Sequence, residues 1–292
     1  MKATISLLMF VCLCSVTGCA QDMNGNHHSN ASASPDTNVS QDWARQRLAK
    51  SPRHQEWVKV KNGTREVNSF VVYPENKNKA TAVIVIHEIF GMSDWVQSLT
   101  DQLAEAGYVA IAPDLLSGMG PNGGGTSSLT GNAVGQAIQA LPPDQITGDL
   151  NAVYDYISKV PASNGKVVVT GYCWGGGQSF RYATNNPNLK AAFVFYGPAP
   201  ATGADGTPDK AALAKITAPV YGFYAGNDAR INATLPKTTE AMTELKKKYE
   251  PVTYEGAGHG FMRAGEAPDA NEANKKARDD AWARWKKILA GI

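Results

Sequence analysis

The chain reads as an α/β fold, with a mostly parallel central sheet and helices on both faces. Three observations predict it. Short apolar, β-branched runs recur, as at residues 81–86 and 108–112, and strands buried on both faces have that composition. Helix-compatible segments separate these runs, which is the alternation that builds parallel sheets. At residues 166–183 a β-branched run, a glycine-flanked turn and a helical segment follow one another directly.

Taken in order, early strands are expected at 56–61 and 65–73, the second followed by the turn Pro74-Glu75-Asn76. Residues 81–86 form a continuous apolar strand. Ser93 or Asp94 caps a helix ending near Gly107, with Leu99, Leu103 and Ala106 on one face. A strand at 108–112 closes on Pro113-Asp114, and the Gly-rich stretch 117–130 reads as a mobile surface loop. A helix at 144–160 leads to the strand 166–170. Further strands fall at 191–196, 219–225 and 251–254, with helices at 233–249 and 271–289. No internal repeat or second composition-defined domain is visible, so residues 45–292 are assigned to one α/β domain.

Of 292 residues, 43% are hydrophobic and 18% charged, ordinary for a domain with a real core. A net charge of +2 excludes nucleic acid or an acidic polymer as an expected partner. Lys2 followed by a short apolar stretch to Val16 reads as an export signal, too short to span a bilayer. Val16-Thr17-Gly18-Cys19 is similar to a bacterial lipobox, which would place a lipid on Cys19 and anchor the chain at the cell envelope, facing periplasm or outside. Ordinary cleavage after Ala20 is the competing reading and would release the protein to the periplasm or beyond. Residues 21–44, rich in Asn, Ser, Asp and Gly, read as a flexible polar linker, which favours the tethered form.

Cysteine counting sharpens this picture. Cys12 and Cys14 leave with the signal, and Cys19 is lipidated or removed. Cys173 alone stays in the folded body, so no intramolecular disulfide is available to it in an oxidising compartment. It sits in Gly171-Tyr172-Cys173-Trp174-Gly175, a G-x-C-x-G turn between strand and helix. That is the context of a nucleophile elbow, and it narrows the class to the α/β-hydrolase fold. A small buried Cys in a glycine-rich turn is the plain alternative.

Residue order then tests the elbow, because in this fold the acid and the histidine follow the nucleophile in that order. His259 is the only histidine after Cys173, in the glycine-rich loop Gly256-Ala257-Gly258-His259-Gly260. Seven carboxylates lie between the two. Asp228 is the best candidate acid, because it follows an apolar run at a strand's carboxyl end, although turn-making at Asn227-Asp228 would also explain it. A helix N-terminus and a protonated His259 would both lower the pKa of Cys173. The oxyanion of an acyl-transfer intermediate would take the backbone N–H groups of Trp174 and Ile89.

His87-Glu88-Ile89-Phe90-Gly91, Ala112-Pro113-Asp114-Leu115, Gly148-Asp149-Leu150, Gly165-Lys166-Val167, the Cys173 turn with Gly176, Gly226-Asn227-Asp228 and Gly258-His259-Gly260-Phe261 together resemble the dienelactone hydrolase family. The likeness runs from about Thr81 to Ala290. It implies a cofactor-free hydrolase of small esters or lactones, with no metal, whose Cys-Asp-His triad falls on Cys173, Asp228 and His259. It adds Glu88 as a carboxylate that contacts the nucleophile and takes part in its activation. Family arginines hold a substrate carboxylate, and Arg263 matches one of them. No Arg or Lys occupies residues 132–141, where the other is expected. The chain departs from the family at substrate binding, and a neutral ester or lactone becomes the expected substrate. A monomer is the expected state, touching membrane only through the lipid on Cys19. The alternative is a non-catalytic binding or scaffold lipoprotein on a hydrolase fold.

Overall fold

The apolar runs of the sequence become the interior of one sheet. A computed structural model describes residues 41–203 and 205–292. The export signal, Cys19 and most of the polar linker lie outside the described residues. The elements are α1 (Asp42–Ala49), β1 (Gln55–Asn62), β2 (Arg65–Val72), β3 (Ala80–Ile86), α2 (Asp94–Glu105), β4 (Val109–Pro113), α3 (Asn132–Gln139), α4 (Pro143–Ile157) and β5 (Ser163–Tyr172). They continue with α5 (Trp174–Asn185), β6 (Ala192–Phe195), α6 (Lys210–Leu213), β7 (Val220–Ala225), α7 (Ala229–Asn232), α8 (Leu235–Glu244), β8 (Tyr249–Tyr254), α9 (Phe261–Ala264) and α10 (Glu272–Leu289).

The strands pair in the order β1-β2-β4-β3-β5-β6-β7-β8. β1–β2 and β2–β4 are antiparallel and every later pair is parallel. All seven residues of β3 are buried, and they alternate between two cores as strand geometry requires. Ile84 and Ile86 face the layer of α4, α5 and α8. Val83 and Val85 face the layer of α1, α2 and α10, where Trp95 and Trp285 are fully buried.

The departures from the sequence reading have local causes. The folded body starts at Asp42, so residues 42–44 of the assigned linker belong to a helix. Ala44 is fully buried there, and Gln41 Oε1 accepts from the Trp95 N–H at 2.8 Å, joining the start of α1 to α2. The expected helix 233–249 is cut back to α8 because Lys246 takes a left-handed φ of 54°, and β8 starts at Tyr249. Loop 117–130 is tied down. Asp114 accepts from the Thr126 N–H at 2.8 Å and hydroxyl at 2.7 Å, and the Thr126 hydroxyl in turn accepts from the Met92 N–H at 3.2 Å. α2 is capped by Ser93 as expected, its hydroxyl accepting from the Val96 N–H.

Candidate active site

Parallel strands deliver their carboxyl ends to one edge of the sheet, where the site of an open α/β fold forms. Register places the candidates side by side. Ile86 pairs with Gly171, so the segment 87–91 leaves β3 beside the Cys173 turn. Tyr172 pairs with Phe195, which puts Tyr196 next to Cys173 across the gap to β6. Ala225 pairs with Tyr254, so the loops carrying Asp228 and His259 run together. They are zipped by Gly226 N–H to Tyr254 O at 2.8 Å and Asn227 N–H to Ala257 O at 2.9 Å.

Cys173 adopts φ 56° and ψ −118° as the N-cap of α5, a region that costs a non-glycine residue of order 1–3 kcal/mol. The surroundings over-determine it. Its N–H donates to Phe195 O at 3.1 Å, and its carbonyl accepts from the Gly176 N–H at 3.0 Å. Glycine at 171 and 175 permits this turn by absence of bulk. A Cβ at Gly171 would strike the Gly175 carbonyl, and one at Gly175 would strike the carbonyls of Ile86 and His87.

The backbone N–H groups of Trp174 and Ile89 both favour a negative charge on Sγ of Cys173. Its pKa is pushed up to about 11, first by burial and then by the Glu88 charge, against the lowering effect of the two amides. The expectation of a depressed thiol pKa is overturned. Desolvation disfavours the thiolate more than the head of α5 favours it, and among the described residues no hydrogen bond joins Sγ to His259.

His259 Nδ1–H donates to Asp228 Oδ2 at 2.5 Å, and the carboxylate side chain is only 7% exposed. Of the seven carboxylates between Cys173 and His259, this is the one bonded to the imidazole. Asp228 also caps α7, its Oδ1 accepting from the Ile231 N–H at 3.3 Å, so turn-making and imidazole orientation coexist in one side chain. The His259 loop is braced from α10, where Asn274 Oδ1 accepts from the Gly258 N–H at 2.9 Å.

Glu88 is 1% exposed and accepts at Oε2 from Arg263 Nε–H at 2.7 Å. The Arg263 guanidinium also lies over the Phe90 ring, 5.0 Å from its centroid. Arg263 faces the site as expected, yet its charge is committed to Glu88. Two further residues at the site carried no role in the sequence reading. Tyr196 has φ 40°, packs edge-on to the His259 ring at 5.0 Å, and buries a hydroxyl without a partner. Its position directly after an apolar strand run was the available signal. His87, in the motif beside Glu88, is fully buried and stacks on Trp174.

A cavity of about 560 Å³ opens beside Ile89 and Phe90. Leu129, Val134, Gly135 and Gln139 line its far side, and no lining residue is charged. A larger groove of about 740 Å³ lies between α1, α2 and α10 and shares no residue with the site.

The sequence profile of the dienelactone hydrolase family matches residues 67–292. A protein of Saccharolobus solfataricus named as a carboxymethylenebutenolidase is 32% identical over 259 residues, covering 78% of this chain and 95% of that one. A Salmonella typhi protein of the same name is 34% identical over 205 residues, 69% of this chain and 74% of its own length. Among solved structures, one titled as a dienelactone hydrolase of Klebsiella pneumoniae superposes with a TM-score of 0.71 at 26% identity, covering 82% of this chain and 99% of that chain. With the hydrolase strand order and a family match over most of its length, the chain belongs to the dienelactone hydrolase family and is a hydrolase acting on ester bonds.

Proposed function

We propose that the chain hydrolyses a small, uncharged carboxylic ester or lactone through a thioester on Cys173, with His259 as proton carrier and Asp228 as its orienting acid. The observation that carries this reading is the strained Cys173 thiol seated against the Trp174 and Ile89 amides, at the strand end next to an imidazole held by a buried carboxylate. Sγ and a substrate carbonyl oxygen compete for the same two N–H groups. An entering carbonyl displaces the sulfur from them and turns it toward His259 Nε2. Until then the charge of Glu88, itself held by Arg263, keeps the sulfur a thiol, which also guards a lone cysteine against oxidation.

His259 Nε2 takes the thiol proton as the C–S bond forms, and the two amides hold the oxyanion. Collapse breaks the C–O bond, and His259 returns the proton to the departing alkoxide. Water attacks the thioester, His259 takes its proton, and that proton goes back to Sγ as the acid leaves. Asp228 fixes the Nδ1–H tautomer throughout, leaving Nε2 for chemistry.

The neutral substrate follows from charge accounting. The cavity beside Ile89 carries no cation, α3 supplies none, and Arg263 is already paired; the other cation acting on Cys173 is the exposed Arg230 of α7. A substrate carboxylate entering the cavity would be desolvated without a counter-ion, at a cost of several kcal/mol. Carboxymethylenebutenolide-type lactones, the substrates for which the relatives are named, carry such a group. They should be poorer substrates here than their neutral esters.

Turnover of p-nitrophenyl butyrate by purified wild type and Cys173→Ala tests the reading, with intact mass recorded during turnover. Loss of activity in the variant and an acyl adduct on the wild-type chain are expected. Full activity in Cys173→Ala overturns it. The proposal includes export with a lipid on Cys19, checked by the mass of the mature N-terminal peptide. A free N-terminus at Gln21 would replace it with ordinary cleavage.

A further inference from the structure

His87 is a fully buried titratable residue for which the proposed chemistry has no use. Its Nδ1 lies 2.8 Å from the Glu88 carbonyl oxygen. A carbonyl only accepts, so Nδ1 carries the proton. Nε2 is then a lone-pair acceptor, and it is buried without a partner. Burial lowers the pKa of the ring, against an opposing pull from Asp114, and keeps the imidazole neutral. A phenyl ring would fill this position without leaving an orphaned nitrogen. What only the imidazole supplies is the Nδ1–H.

That hydrogen bond falls on a particular peptide. The Glu88 carbonyl and the Ile89 N–H belong to one planar trans unit and point in opposite directions. Fixing the carbonyl therefore aims the N–H, and this is one of the two N–H groups that favour a negative charge on Cys173. The same carbonyl accepts from the Gly91 N–H at 3.1 Å, so donors from two directions clamp it. A donor on the carbonyl also polarises the peptide and strengthens its N–H as a donor. The face of the imidazole ring meets Trp174. Its indole stacks on the His87 ring with centroids 5.5 Å apart and planes inclined by 14°, and its N–H is the second donor at Sγ.

We propose that His87 is a positioning residue for the oxyanion hole: its Nδ1–H orients the Glu88–Ile89 peptide while its ring face seats Trp174, so one imidazole sets both donors. This rests on the Cys173 reading above. It predicts that losing the Nδ1–H weakens transition-state stabilisation without loosening ground-state binding.

The test uses His87→Phe, which keeps a stacking ring and loses the donor, and His87→Asn, whose amide can replace the Nδ1–H. With p-nitrophenyl butyrate, His87→Phe should lose about ten- to a hundredfold in kcat with KM within about threefold. Because the Ile89 N–H also rests on Sγ, the pH midpoint of Cys173 alkylation by iodoacetamide should move upward in the same variant. His87→Asn should restore both in part, since it returns the donor but not the stacking ring. A folded His87→Phe with unchanged kcat and unchanged thiol titration overturns the proposal, and so does an Asn variant no better than Phe. If His87→Phe does not fold, ¹⁵N NMR of histidine-labelled wild type decides: an Nδ1–H tautomer at His87 supports the role and an Nε2–H tautomer overturns it. Activity surviving in Cys173→Ala would instead strike the underlying reading, whatever His87 does.

Discussion

Arg263 donates its Nε–H to Glu88 at 2.7 Å, and this single bond decides two properties of the site. It supplies the counter-charge that lets a carboxylate sit 1% exposed beside Cys173. It also commits the arginine that the family resemblance assigns to a substrate carboxylate. Burial lowers the guanidinium pKa and Glu88 more than offsets this, leaving it raised, so the guanidinium stays charged.

Breaking that pair from one side should be costly. Arg263→Met leaves Glu88 buried without a partner, and removing one member of a buried pair costs about 3–5 kcal/mol. Urea unfolding of the variant should show a loss near the lower figure, because Arg263 is itself 27% exposed. Equal stability of variant and wild type would mean that the pair contributes nothing. The double variant Arg263→Met with Glu88→Gln should recover most of the loss.

The thiol gives a second expectation. With a pKa pushed up to about 11, iodoacetamide labelling of Cys173 should rise about tenfold per pH unit from neutral into the alkaline range. A preformed thiolate–imidazolium pair would instead label at a constant rate through neutrality. In Glu88→Gln the midpoint should fall, because the second cause of the shift is gone.

The same shift has a stability consequence whose sign is definite. The folded state holds the thiol proton above the ordinary value of 9.0, up to about 11. The contribution is therefore complete below about pH 9 and is lost as pH rises toward about 11. The full difference is of order 2–3 kcal/mol. Thermal melts of wild type should lose more across that window than melts of Cys173→Ser, in which the titrating thiol is gone. Parallel losses would remove Cys173 as the cause.

Much of this site was legible because residue order and strand ends are one-dimensional facts. Cys173 and Asp228 stand just past apolar runs and His259 in the loop after the last strand, and parallel topology gathers such positions at one edge. The state of the thiol was not legible. It depends on how deeply Sγ is desolvated and how near Glu88 lies, and both are set by residues far apart in sequence. The commitment of Arg263 to Glu88 was hidden for the same reason, since 175 positions separate them. Tyr196 and His87 escaped because an aromatic ring at a strand end is more often packing than function. The first residues of α1, 42–44, were read as linker because their helical signal is short and their burial comes from α2 and α10.

Asp228 offers a way to separate orientation from structure. Asn caps a helix as well as Asp does, so Asp228→Asn should keep its bond to the Ile231 N–H and leave the melting temperature nearly unchanged. Its amide would, however, present a donor to His259 Nδ1 and force the wrong tautomer. In the worked Ser-His-Asp case that exchange lowers kcat by about 10⁴, and a loss of roughly 10³–10⁴ is expected here. A large fall in melting temperature with modest loss of kcat would reverse the assignment and make Asp228 a structural cap.

The cavity beside Ile89 should set acyl specificity, and Gly135 is its most adjustable wall. It lies within α3, where glycine costs about 1 kcal/mol against alanine. A Cβ there would sit 3.7 Å from Ile89 Cγ1, ordinary contact distance. Gly135→Ala should therefore fit and raise stability by about 0.5–1 kcal/mol. Gly135→Leu should fill part of the 560 Å³ space and lower kcat/KM for p-nitrophenyl hexanoate by at least about tenfold while sparing the acetate, since each lost methylene site is worth roughly 1 kcal/mol or more. Gln139→Arg should work in the other direction, placing a cation in a lining that has none and improving turnover of esters whose acyl group ends in a carboxylate. Equal effects of Gly135→Leu on acetate and hexanoate would show that the acyl group lies elsewhere.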